Sequence, residues 1–162
     1  MTIPLHGRFV PQENKKGMVI TMSLTFEMLQ SGDIPQINEI IEQWTDCNHD
    51  QIKKFLSEKQ NIAFVAKLDD KMIGLIYGYS LTCLDCEKPQ FFIYSVDVHE
   101  KYQNKGYGSQ FVKYAVEWAR DNGFSESYVL TDKGNPRACK LYERAGMNHS
   151  KTDDTRLYEI SY

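Results

Sequence analysis

From Val96 to Ser109 the chain reads Val-Asp-Val-His-Glu-Lys-Tyr-Gln-Asn-Lys-Gly-Tyr-Gly-Ser. A hydrophobic strand gives way to a polar turn, and two glycines then open a helix. A helix start leaves backbone N–H groups unpaired and carries partial positive charge. Glycines there let the backbone approach a ligand and adopt positive φ, so such a turn can cup a phosphate; the spacing alone fits an ordinary loop equally well. Two phosphate-loop patterns fail. No Gly-Lys-Ser or Gly-Lys-Thr occurs, which excludes a Walker loop. The dinucleotide fingerprint needs a third glycine three residues after Gly108, where Phe111 stands. What remains is Q-x-x-G-x-G from Gln103 to Gly108.

Other residues could do chemistry near this turn. Asp97 sits on the strand between Val96 and Val98 and faces the opposite side from both. It could hold a cationic group or accept its proton, and it could equally be a solvated strand residue. His99 follows at the strand end with a reference pKa suited to a base, though an exposed loop histidine has the same appearance. Tyr142 lies on the apolar stripe of a later helix with Ala138 and Leu141, which reads as core. Cys83-Leu84-Asp85-Cys86 has C-x-x-C spacing, but a structural zinc site wants four ligands. The partners of the right type, Cys47 and His49, are more than thirty residues away. The expectation is a reduced loop and no metal. Cys139 reads as packing.

These residues need a scaffold, and the pattern supplies one. Residues 1–22 read as an irregular leader punctuated by Pro4, Pro11 and Gly17. A strand is expected from Leu24 to Leu29, then a turn with Asp33 as N-cap and Pro35 in the first helical turn. Ile34, Ile37, Ile40, Ile41 and Trp44 recur at helical spacing, and a second helix is expected from His49 to Glu58. Ile62, Phe64, Ala66 and Leu68 alternate as one face of a strand. Asp69-Asp70-Lys71 turns it into another, from Met72 to Leu81. Gln90 to Val98 is a third. Phe111, Val112, Ala115, Val116 and Ala119 stripe the helix after the glycines, with Tyr114 and Trp118 as a second packing edge, and Asn122-Gly123 ends it. A short strand (127–131), a helix (136–145, stopped by Gly146) and a terminal strand (156–162) complete a mixed α/β order.

The whole chain has 162 residues and a net charge of −3, from 19 Lys and Arg against 22 Asp and Glu. The halves before and after position 81 carry 8 basic with 10 acidic residues, and 11 with 12. Neither has the basic excess that nucleic acid or an anionic membrane would require. No apolar run reaches the roughly 18 residues of a membrane span. The four cysteines are too sparse for a disulfide framework, and with no secretory signal pattern a cytoplasmic protein is expected.

On these residues the chain resembles the GNAT superfamily of acetyl-CoA-dependent N-acetyltransferases. Its Q/R-x-x-G-x-G/A loop is matched by Gln103, Gly106 and Gly108. A second family segment, N-x-x-A-x-x-L-Y-x-x-x-G, is matched by Asn135, Ala138, Leu141, Tyr142 and Gly146. The lead-in Phe92-Ile93-Tyr94 is similar to the aminoglycoside 3-N-acetyltransferase group, which carries an acidic residue where this chain has Ser95. The resemblance implies one domain over residues 23–162: a mixed, mostly antiparallel sheet of six or seven strands with about four helices, strands four and five splayed. It implies acetyl-CoA as co-substrate, with Gln103 and the backbone N–H groups of Asn104, Lys105, Gly106, Tyr107, Gly108 and Ser109 on its pyrophosphate. The pantetheine arm would run between Val96–Val98 and Val129–Thr131, with Asn135 beside it. Val98 N–H would polarise the thioester, and Tyr142 would donate a proton to the departing sulfur. The base is Asp97, His99 or water. The mild acidic balance of residues 33–60 and 147–157 favours a small cationic amine, an aminoglycoside or polyamine; a protein or peptide amine is the alternative acceptor. A non-catalytic acyl-CoA-binding or interaction module is the alternative function. A homodimer is left open.

Overall fold

A computed structural model describes residues 8–13, 19–43, 48–149 and 160–161. Its strands are β1 (Arg8–Glu13), β2 (Val19–Met28), β3 (Asn61–Leu68), β4 (Lys71–Leu81), β5 (Gln90–Val98) and β6 (Glu126–Val129). Its α-helices are α1 (Ile34–Gln43), α2 (His49–Ser57), α3 (Tyr107–Asp121) and α4 (Pro136–Arg144). The six strands form one sheet in the order of the chain, β1 to β6. Every neighbouring pair is antiparallel except β5 with β6, which is parallel.

The sheet is covered on both faces, which explains the near-continuous burial of β3 and β4. One face presents Ile62, Phe64 and Ala66 to α3, whose Phe111, Val112, Ala115 and Ala119 are buried there. The other presents Ala63, Val65 and Leu75 to Ile37 and Ile40 of α1 and Ile52 of α2. Tyr114 and Trp118 do form the expected packing edge, with ring centroids 5.6 Å and 5.1 Å from Phe64. Caps fix the helices locally. Asn48 and Gln51 form a reciprocal capping box on α2. Asp69 and Asp70 take the expected tight turn with φ of 49° and 64°.

Two sequence expectations change. Residues 1–22 are not wholly irregular: 8–13 form β1, paired with β2 from Arg8↔Leu24 to Glu13↔Val19. The first long strand therefore begins at Val19, five residues earlier than its alternation with later strands suggested. Pro11 sits within β1, an edge strand, where a missing N–H is tolerated. The terminal strand expected at 156–162 falls largely outside the described residues. Among the described residues, no helix is long and apolar enough to cross a membrane.

β5 carries two irregularities that matter for the site. Its pairing with β4 steps from Ser95↔Tyr77 to Ile93↔Gly78, so Tyr94 is the extra residue of a bulge. Its pairing with β6 runs only from Gln90↔Glu126 to Ile93↔Val129. Beyond Ile93, β5 continues to Val98 without β6 beside it. The two strands are splayed.

Candidate active site

Strand alternation decides what β5 offers to this opening. His99 N–H donates to Ile73 O of β4 at 2.9 Å. Residues 97 and 95 share that direction, so Val96 and Val98 turn their N–H and C=O groups to the open side. Gln103 confirms it: its Nε2 donates to Val98 O at 2.6 Å. This bond ties the turn after β5 back onto the strand end. Gln103 thus acts on the loop's position through its side chain.

The turn delivers the chain to α3 through two left-handed residues, Asn104 at φ 60° and Gly106 at φ 80°. Gly106 is the N-cap residue of α3, and no side chain caps this helix. Its first-turn backbone, at Gly108 and Ser109, faces a cleft of about 600 Å³. Gly108 acts through packing. A Cβ there would come within 2.9 Å of Leu141 Cδ1 and 3.6 Å of Val98 Cγ2, so glycine lets α3, α4 and β5 meet.

The cleft brings both sequence segments together. Val96, Val98, Gln103, Asn104, Gly106, Gly108 and Ser109 form one wall, and Asn135 and Tyr142 lie on the other. Asn135 is the N-cap of α4, its Oδ1 accepting from Ala138 N at 3.1 Å, which is worth about 1 kcal/mol to such a helix. Tyr142 is half-buried. Burial, then the Asp97 charge, then Cys139, push its phenol above the ordinary range, so it stays protonated at neutral pH. Among the described residues its hydroxyl has no hydrogen-bond partner.

Several expected residues lie elsewhere. Lys105 is exposed, with its ammonium 5.7 Å from the Tyr102 ring centre. Tyr107 buries its ring in the core at 1% exposure, so only its backbone is left for the loop. Val129 and Thr131 do not line the cleft. His99 accepts from Lys101 N at 3.4 Å and packs on Tyr102, a local cap of the short turn after β5. Asp97 is opposite Leu75 and Ser95 opposite Tyr77, which puts both on the α1/α2 face. There Ser95 Oγ donates to Asp97 Oδ2 at 2.6 Å.

The sequence reading missed one feature of the cleft. Arg137, Lys140 and Arg144 all line it from α4. Their i, i+3, i+7 spacing gives one helical face, and it was visible, but the apolar stripe of Ala138, Leu141 and Tyr142 drew the reading. None of the three is in an ion pair among the described residues. Free cations, an uncapped helix start and a left-handed glycine are the donor set that a phosphate-bearing chain needs.

With this geometry the chain matches the family model described as Acetyltransferase (GNAT) family over residues 26–147, and it belongs to that family. Its sequence is 24% identical to human N-acetyltransferase 8 over 97 residues, 60% of this chain and 43% of that protein, so it spans less than half of that relative. Among solved structures it is similar to an aminoglycoside acetyltransferase, meta-AAC0020, from an uncultured soil metagenomic sample, in complex with sisomicin. There the TM-score is 0.74 at 22% identity, covering 85% of this chain and 97% of that one. It is also similar to aminoglycoside N-acetyltransferase AAC(6')-Iy in complex with CoA, with TM-score 0.66 at 16% identity over 86% and 95%. At these identities the structural likenesses show the fold.

Proposed function

We propose that this protein is an acetyltransferase that moves an acetyl group from acetyl-CoA directly onto the amine of a small cationic acceptor. The observation that carries the reading is the opening in the sheet. The cationic cleft lies on its α3/α4 face, and the Asp97 carboxylate lies on its α1/α2 face. Val96 and Val98, which line the cleft, alternate with Asp97 along β5, so the two faces meet at this strand. Two substrates could therefore meet in the gap, one from each face.

Acetyl-CoA supplies an acetyl group activated as a thioester. The first turn of α3 and the Arg137, Lys140 and Arg144 side chains bind its phosphates. Val98 N–H, turned to the open side, donates to a carbonyl oxygen as negative charge grows on it. Tyr142, kept protonated by burial, gives its proton to the departing sulfur. Asp97 attracts the ammonium and accepts its proton, held in orientation by Ser95 Oγ. Asn135 shapes the wall by capping α4. No protein nucleophile is needed when the substrates meet directly.

The α1/α2 face supports a cationic acceptor. Beside Asp97 it carries a row of aromatic rings: Tyr77 stacked on Tyr94 at 5.4 Å, and Phe92 stacked on Tyr128 at 5.1 Å. Tyr94, the bulge residue, is 59% exposed. Ring faces next to a carboxylate attract an ammonium by about 0.5–2 kcal/mol. A thiol-release screen over aminoglycosides, polyamines, amino acids and peptide N-termini tests this. The best acceptors should be polycations, with added salt weakening the preference. Asp97→Asn should raise KM or lower kcat for them and leave acetyl-CoA affinity intact. Neutral or anionic acceptors at the top would overturn the cationic reading. Peptide hits would move the acceptor to protein amines. Tight acetyl-CoA binding with no thiol release would leave a binding module.

A further inference from the structure

The loop between β4 and β5 holds the remaining unexplained chemistry. Cys83 and Cys86 are free thiols, and Leu84 between them is fully exposed to solvent. With Leu84 turned out, the other three side chains converge: Cys83 Sγ, Cys86 Sγ and an Asp85 carboxylate oxygen all lie within 4.8 Å of one another. Cys86 Sγ is 3.7 Å from Asp85 Oδ1. Tetrahedral zinc, with bonds of about 2.3 Å to sulfur and 2.0 Å to oxygen, sets those two atoms about 3.5 Å apart. The spacing of the cysteines alone offers two ligands; the fold adds the third from the residue between them. The base of the loop is anchored, since Pro89 O accepts from Ser125 N at 2.8 Å and Ser125 Oγ at 3.2 Å. We infer that Cys83, Asp85 and Cys86 form a binding site for one thiophilic divalent cation of the zinc class, separate from the acetyl-transfer cleft. On binding, each thiol releases its proton to solvent and forms a metal–sulfur bond. Water would complete the fourth position. With three protein ligands and one open position, such an ion would be exchangeable, and it would clamp the loop that leads into β5 and the aromatic row.

The test is a cobalt titration of the reduced full-length protein with no coenzyme present, followed by zinc displacement. One equivalent of Co²⁺ should produce thiolate-to-cobalt charge-transfer absorption in the near ultraviolet, and Zn²⁺ should abolish it. A Cys47→Ser/Cys139→Ser variant should behave as the wild type. Cys83→Ser/Cys86→Ser should lose the absorption, and Asp85→Asn should keep it with about tenfold weaker binding. At a hundredfold excess over Kd, Zn²⁺ should raise the wild-type Tm by about 5–10 °C. No absorption in the reduced wild type overturns the site. So does absorption that survives in Cys83→Ser/Cys86→Ser or is lost in Cys47→Ser/Cys139→Ser. The wild-type titration needs no variant to fold.

Discussion

Gly108 should reveal whether the cleft is held open by packing. The substitution is Gly108→Ala, alone and with Leu141→Ala. An added Cβ at 2.9 Å from Leu141 Cδ1 is below any real contact distance, so Leu141 or the α3–α4 spacing must shift. Overpacking of this kind costs about 1–3 kcal/mol. Against it stands a gain of up to about 1 kcal/mol, because alanine is the better helix former. The net change in the wild-type background is therefore between neutral and about 3 kcal/mol of destabilisation. With Leu141 truncated the clash is gone and only the gain remains, so the same substitution should stabilise. The coupling energy of the cycle should be about 1–3 kcal/mol. For a chain of this size that is roughly 2–4 °C of Tm per kcal/mol, readable by differential scanning calorimetry. Acetyl-CoA affinity should fall in Gly108→Ala and recover partly in the double variant, since Gly108, Leu141 and Val98 all line the cleft. A coupling below about 0.5 kcal/mol would refute the packing argument and assign the glycine to backbone approach alone.

The other predictions address the cleft's chemistry. Tyr142→Phe should leave the Tm unchanged, because the lost hydroxyl has no partner among the described residues, and should lower kcat by about 10²–10⁴-fold in steady-state assays; full activity would return Tyr142 to the core. Because its folded pKa is raised, the wild-type phenol contributes stability in full below its unfolded pKa of about 10, lost as pH rises through the higher folded value. Alkaline melting of Tyr142→Phe should lack that loss, and its kcat profile should lack the corresponding alkaline limb. Replacing Arg137, Lys140 and Arg144 together by alanine should weaken acetyl-CoA binding about 10–100-fold at low salt, at about 0.5–1 kcal/mol each, and much less at 0.5 M salt by calorimetry. Gly106→Asp meets nothing within 4 Å but is strained at φ 80°, so it should fold with a lower Tm and show no acetyl-CoA-induced rise.

The sequence carried β3 and β5 at their observed bounds and the buried stripe of α3, because each buries a stripe whose period is local. It carried the two ends of the cleft as well, since Gln103–Gly108 and Asn135–Tyr142 are contiguous motifs. β1 was invisible because its evidence is its register against β2, a property of two segments and not of one. The bulge at Tyr94 hid for a related reason: Phe91 and Ile93 share a face with Val96 and Val98, and plain alternation from Phe91 would assign the valines to the other side. The resemblance implies ligand contacts for Gln103 and Asn135; each side chain is also bonded to backbone, one holding the loop and the other starting a helix. Those bonds need coordinates, because a side-chain amide can serve either purpose.

The order of the sheet has a consequence for how the molecule is assembled. Because spatial order follows chain order, β1–β2, β3–β4 and β4–β5 can each zip as neighbours with little loop to close. The β5–β6 joint alone is parallel, and it forms only after the whole of α3 has crossed over the sheet. The cleft lies at this joint. The cleft therefore depends on the one parallel joint among the described strands, held by four ladder positions and the helix that spans them. Local loosening at that joint would leave the antiparallel ladder of β1 to β5 intact.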